Sequence, residues 1–233
     1  QIIHDVALQN LPVVLCLDRG GIVGEDGATH HGCYDMAIYR TIPGAIIAAP
    51  MNETELKNMM YSAMLSADGP YIIRYPRGYG EGTDWQGTEF EEYSVGKGIL
   101  LKEGEDIAVI AAGPVANRAV EAAEMIKEKT GHCPSIYNIR YIKPLDTSLL
   151  DEVIRSHDVI ITVEDGTILG GLHGAVSEYS STAQTPKRIV PVGIPDRYIN
   201  QGTQREQRSE CGLDSEGIYA AIMAENEILA KKE

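Results

Sequence analysis

The chain has 233 residues, 43% of them apolar, enough for one large domain or two modest ones around ordinary hydrophobic cores. Its 34 acidic residues against 20 basic ones give a formal net charge of −14, which opposes nucleic acid or an anionic membrane as a general partner. The four cysteines contain no C-x-x-C pair, arguing against a zinc site or redox dithiol, and no apolar run approaches the roughly 20 residues that span a bilayer, so a cytoplasmic protein is expected.

Residues Gln1 to Leu8 show helical spacing, with apolar side chains at 2, 3, 6 and 7 but no cap, as expected for the end of a helix that begins upstream. Leu11 to Leu17 is rich in branched aliphatics and reads as a buried strand delivering Asp18 and Arg19 at its carboxyl end. In open α/β sheets that edge is where ligands bind. A polar loop, 18–33, follows. Ala45 to Ala49 is a second strand. Asn52 then opens a helix to about Ala67, with Glu55 placed to reach back to the cap and Leu56, Met59, Met60, Ala63 and Met64 on one face. A third strand, Pro70 to Arg74, exits into Tyr75-Pro76-Arg77-Gly78.

From Gly78 to about Val95 the apolar pattern lapses, so a linker is expected over 81–95, separating a unit at 1–80 from one at 96–233. The second unit alternates strands (106–111, 135–139, 159–163, 188–192) with helices (116–130, 146–156, 170–181, 215–231), the second of these capped by Asp146. Such alternation implies α/β units with mostly parallel sheets. The first unit, with three strands, reads as incomplete.

Three groups of residues are candidates for chemistry. Asp26, His30 and His31 lie in the loop after the first strand, where a histidine can serve as acid or base; the plainer reading is a solvated turn. Arg19 and Arg77 leave the first and third strands at the same edge and could converge on a phosphate or carboxylate, or pair with Asp18, Glu25 or Asp26. For Arg74 a salt bridge is expected. Val163-Glu164-Asp165-Gly166, followed by Gly170-Gly171, resembles an anion site at a helix start, but two carboxylates would repel a phosphate. Tight packing at the glycines, at a domain or subunit interface that includes His173, is the preferred reading. No phosphate loop, nucleophile elbow or zinc helix occurs, and no Gly-Asp-Gly followed by Asn of the kind that holds magnesium diphosphate.

Taken together, LPVVLCLDRGGIVGEDGATHHGCYDMAIYRTIP, YIIRYPRG, VGKGILLKEGEDIAVIAAG, RYIKPLD, VEDGTILGG and IPDRYINQGTQREQRSECGLDSEGI closely resemble the C-terminal part of the 1-deoxy-D-xylulose-5-phosphate synthase family of transketolase-like enzymes. The likeness spans essentially the whole chain. It implies an α/β fold: the second half of a pyrimidine-binding domain over 1–80 and a transketolase C-terminal-like domain over 96–233. The implied reaction condenses pyruvate with D-glyceraldehyde 3-phosphate, with loss of carbon dioxide, in a cytoplasmic homodimer. Thiamine diphosphate and Mg2+ would be bound mainly by an N-terminal portion preceding Gln1, and without that partner the chain would be inactive.

The resemblance also implies roles. His30 would manage protons or hydrogen-bond the carbonyl oxygens, and Asp26 would bind an acceptor hydroxyl or orient that histidine. Arg19 and Arg77 would clamp the acceptor's phosphate. His31 receives no role beyond structure. A subunit of a naturally split transketolase-like enzyme and a noncatalytic dimerisation module are the alternatives.

Overall fold

The computed structural model describes residues 1–66 and 69–231, folded around two sheets. The opening helical stretch is a π-helical turn, Ile2–Ala7, with no buried residue. Strand β1 (Val14–Leu17) follows, then a short helix α1 (Asp35–Tyr39), β2 (Ile46–Ala48), helix α2 (Glu53–Leu65) and β3 (Tyr71–Arg74). In the first sheet β3 lies between β1 and β2, parallel to both. All four residues of β3 are buried, which is why Tyr71-Ile72-Ile73 reads as a continuous apolar run instead of an alternating one.

The second unit supplies β4 (Ile99–Lys102), β5 (Ile107–Ala112), α3 (Val115–Thr130), β6 (Ser135–Asn138), β7 (Tyr141–Lys143), α4 (Thr147–Ser156), β8 (Val159–Thr167), α5 (Leu172–Ser180), β9 (Arg188–Ile194), α6 (Gln204–Glu210) and α7 (Ser215–Ala230). Its five-stranded sheet runs β4-β6-β5-β8-β9, with only β4 antiparallel to its neighbour. Along the central β5, Val109 and Ala111 face α3 and α7, meeting Ala119, Ala123, Ile218 and Ile222. Ala108, Ile110 and Ala112 face the other way, toward Leu150 and Val153 of α4 and Val176 of α5. That second core also takes in Ile47 and Ile72 of the first sheet, so the two sheets share one apolar layer.

Strand β7 was not expected. It leaves the second unit to pair antiparallel with β2, extending the first sheet, and it buries Tyr141, whose hydroxyl meets that of Tyr71 at 2.9 Å. A buried phenol keeps its place only where its oxygen finds such a partner.

The helix α2 corrects two expectations. Asn52 caps it by accepting from the Glu55 amide at 2.9 Å, but the Glu55 carboxylate bonds the amide of Met51 rather than that of Asn52. It also binds Asn138 Nδ2 and Arg140 Nε, at 3.0 and 2.6 Å, pinning α2 to the second unit. The buried face carries Glu55, Asn58, Met59, Ser62 and Ala63, whereas Met60 and Met64 are exposed. Counting apolar side chains puts the wrong face inside, because the inward polar groups find partners far along the chain. Asn58 Oδ1 accepts from Glu91 N, and Ser62 Oγ from Tyr93 N. The expected helix end near Ala67 lies outside the described residues. Residues 75–98 contain no helix or strand, yet they are strapped along α2. Lys57 Nζ donates to the carbonyls of Trp85 and Thr88, and Phe90 lies against Tyr61.

Candidate functional site

The loop after β1 is closed at its base by backbone bonds exchanged between Gly21 and Gly32, at 2.8 and 2.9 Å. A side chain at Gly32 would stand 2.2 Å from the Arg19 carbonyl oxygen, so the closure requires glycine there. Beneath it lies Arg74, almost wholly buried. Its Nε meets Asp35 Oδ2 at 2.6 Å, and its Nη2 donates to the carbonyls of Asp165 and Gly32. The expected salt bridge of Arg74 is therefore present, and it ties α1, the loop base and β8 together.

The rest of the loop is held from the far end of the sequence. Asp165 Oδ1 accepts from Ile22 N at 3.0 Å, and Gln207 receives from Gly24 N while donating to Gly24 O. Gln204 Nε2 donates to the carbonyls of Ile22 and Arg77. His31 accepts from Val23 N at Nδ1, which leaves Nε2 to donate to Ile199 O, a bracing role in keeping with its structural reading. Both glutamines sit on α6, whose start is a reciprocal capping box between Thr203 and Glu206. That T-x-x-E pattern is the one local signal that could have marked this helix; nothing local marks its contact with the loop.

The acidic pair at the end of β8 points in two directions. Glu164 accepts from the amides of Leu172 and His173, both at 2.8 Å, so the start of α5 is occupied by the protein's own carboxylate. Gly171 makes room for it, since a Cβ there would lie 2.1 Å from Glu164 Oε2. Burial pushes Glu164 up to about 7, against the pull of those two amides and of Arg74. Burial likewise raises Asp165, opposed chiefly by the charges of Arg208 and Arg74. The glycines serve tight packing, as expected, here where the end of β8 meets α1 of the first unit: a Cβ at Gly166 would stand 2.5 Å from Met36 Cε, and one at Gly170 3.5 Å from Ala37 Cβ. His173, expected at an interface, bonds Thr162 Oγ1 in its own unit.

Of the four principal candidates, two are brought together. Arg77 Nη1 meets Asp26 Oδ2 at 2.5 Å and also donates to Val23 O. Arg19 instead pairs with its neighbour Asp18, and His30 is exposed, bonded through Nδ1 to Thr29 Oγ1. Among the described residues no hydrogen bond joins His30 to Asp26. A cavity of about 250 Å³ opens at the carboxyl ends of β2, β3 and β5, lined by Met51, Leu56, Tyr75, Arg77, Gln204 and Arg208 among others. Both Nε and Nη2 of Arg77 make no hydrogen bond among the described residues. The arrangement can hold an anion at one side of the cavity, with a carboxylate fixing the guanidinium that receives it.

Residues 1–81 match the family described as transketolase, pyrimidine binding domain, and residues 96–218 match transketolase, C-terminal domain. The chain belongs to the transketolase family. Within it, the chain is 48% identical over 228 residues to the 1-deoxy-D-xylulose-5-phosphate synthase of Bacteroides thetaiotaomicron, covering 98% of this chain and 35% of that protein. The synthase of the same name from Dictyoglomus turgidum is 42% identical over 224 residues, covering 96% of this chain and 36% of its own length. The chain thus spans about a third of the length of these curated relatives. A solved structure described as a split gene transketolase, inactive beta4 tetramer, superposes with a TM-score of 0.84 at 27% identity, covering 96% of this chain and 70% of that one. A mutant transketolase from Pichia stipitis shares the fold, with a TM-score of 0.71 at 20% identity over 94% of this chain and 30% of its own. The expected transketolase-like α/β fold with mostly parallel sheets is the one found.

Proposed function

We propose that this chain is the C-terminal portion of a synthase that condenses pyruvate with D-glyceraldehyde 3-phosphate, with loss of carbon dioxide, to give 1-deoxy-D-xylulose 5-phosphate. The product would feed isoprenoid precursor, thiamine and pyridoxal biosynthesis in the cytoplasm. The observation that carries this reading is Arg77, fixed by Asp26 at the side of a cavity at the carboxyl ends of the strands. A guanidinium held on one edge, with its other donors open, suits a phosphorylated acceptor. Arg19 would be the second cation of the clamp, Asp26 would also meet an acceptor hydroxyl, and His30 would hold or move a proton at the carbonyl oxygen.

Residues 1–80 would form the second half of a pyrimidine-binding domain and 96–233 the C-terminal domain, joined by a linker at 81–95. Among the described residues no three His, Cys, Asp or Glu side chains are grouped to hold a metal ion. We assign Mg2+ and most of the thiamine diphosphate site to an N-terminal portion, since this chain spans only about a third of its curated relatives' length. When bound, that cofactor supplies the electron sink for decarboxylation, and this chain's residues bind and orient the acceptor.

The test is an assay with pyruvate, glyceraldehyde 3-phosphate, thiamine diphosphate and magnesium, run on the chain alone and together with the N-terminal portion as a homodimer. Product only from the pair supports the proposal. Product from the chain alone would remove the claim that its site is partial, and none from either would favour a noncatalytic dimerisation module. A second reading, a subunit of a split enzyme, draws on the neighbour described as a split gene transketolase. Native mass spectrometry showing two separately encoded polypeptides, with an initiator methionine just before Gln1, would favour it.

A further inference from the structure

We propose that Arg208 is a further phosphate-binding side chain, beyond Arg77 and Arg19, and that the acceptor's phosphate sits between it and Arg77. This rests on the reading of the cavity as the acceptor site. Both guanidinium-bearing residues line the same cavity, whereas Arg19 does not. The arginines around it are already engaged: Arg19 by Asp18, Arg74 by Asp35, Arg118 by Glu81 and Glu121, Arg140 by Glu55. Arg208 enters none of the ion pairs found among the described residues.

Two carboxylates, Glu53 and Glu81, also line the cavity, and an anion site must account for them. Each is committed elsewhere. Glu53 accepts from Gly82 N and Thr83 Oγ1, at 2.8 and 3.0 Å, and Glu81 holds Arg118 at 2.7 Å. Arg77 is half-engaged, by Asp26 through Nη1. Among the described residues, Arg208 is thus the cation at the cavity whose side chain makes no hydrogen bond or ion pair, its charge facing Asp165 only from beyond ion-pair distance, and a charged donor facing a cavity is the feature that a bound anion would satisfy.

Its placement is built, not incidental. Gln204 and Arg208 are four residues apart on α6 and so share a face, and Gln204 both lines the cavity and donates to the Arg77 carbonyl at 3.1 Å. The helix is anchored at its cap and by the buried Gln207, while the charge of Arg208 acts on buried Asp165 behind it. The cavity volume, about 250 Å³, lies just under the roughly 300 to 1,000 Å³ of pockets for drug-sized ligands, which suits a three-carbon phosphate.

The experiment uses the enzyme completed by its N-terminal portion, with Arg208→Gln and Arg208→Lys compared against the unaltered protein. KM is measured for glyceraldehyde 3-phosphate, unphosphorylated glyceraldehyde and pyruvate. Arg208→Gln should raise KM for the phosphorylated acceptor about tenfold or more, with the other two little changed. Arg208→Lys, which keeps a charge opposite Asp165 but loses the fork, should fall between and reads the site if the Gln variant does not fold. Equal losses for both acceptors, or none, would overturn the assignment. In parallel, this chain is titrated with inorganic phosphate by NMR. If the unaltered enzyme makes no product, the proposed reaction falls, and this titration decides Arg208 alone: weaker phosphate binding in the variant upholds it, and equal binding sinks it.

Discussion

Gly21 lies so close to Asp165 that a Cβ on the glycine would stand 2.1 Å from the carboxyl carbon. The backbone there also has φ near 81°, a region that L side chains rarely adopt. The contact joins the loop after β1 to the end of β8, two segments far apart in the chain. Gly21→Ala is expected to destabilise the fold by roughly 2 to 4 kcal/mol, combining backbone strain with overpacking. Urea denaturation of the purified variant checks it, and an unchanged midpoint would contradict the contact.

Glu164 carries a pH signature. Its folded-state value is about 7 against an ordinary 4.5, because burial disfavours the carboxylate. Between these values the native protein binds more protons than the unfolded chain, so this group's contribution is fully present below 4.5 and is lost as pH rises through about 7. Asp165, also raised by burial, acts with the same sign. The difference in urea midpoint between the unaltered protein and Glu164→Gln should therefore change across that window and flatten above it. A difference independent of pH would refute the assignment.

Arg77 should separate the substrates. Removing a charge-assisted contact to phosphate costs roughly 1.5 to 3 kcal/mol, so Arg77→Ala should raise KM for glyceraldehyde 3-phosphate roughly 10- to 150-fold in the completed enzyme. KM for pyruvate should move little. Comparable losses for both would point to a general disturbance of the loop through Asp26.

Gln207 should matter to the loop more than to the fold. It satisfies both backbone groups of Gly24 from 183 residues away and is itself buried. Gln207→Ala leaves the Gly24 amide without a partner, at roughly 1 to 3 kcal/mol, while the Gly24 carbonyl keeps the bond it accepts from the Gly27 amide. Hydrogen exchange at the Gly24 amide should accelerate while the amides of β5 remain protected; uniform acceleration across the chain would argue against a local role.

Much of the fold was legible from neighbours within a few residues. Asn52 and Asp146 cap α2 and α4 as their positions predict, and the branched runs at Val14, Ile46, Tyr71, Ile107 and Val159 became strands. The short helices α1 and α6 and the edge strands β4 and β7 were missed, since three to seven residues carry too little periodicity. The buried face of α2 was misread because Glu55, Asn58 and Ser62 are inside only by virtue of partners at 138, 140, 91 and 93.

The site divides in the same way. The sequence by itself determined which chemistry was available: an acidic, glycine-rich loop bearing Asp26 and His30 after one strand and arginines after two, because strand order and turn residues are local properties. Only the tertiary structure decided that Arg77 meets Asp26 while Arg19 turns to Asp18, that Glu164 fills the start of α5, and that Gln204, Gln207 and Arg208 reach the loop from the far end of the chain. Hydrogen-bond partners and burial are set by what packs alongside, and the partners that fix Asp26 and Gly24 lie 51 and 183 residues away.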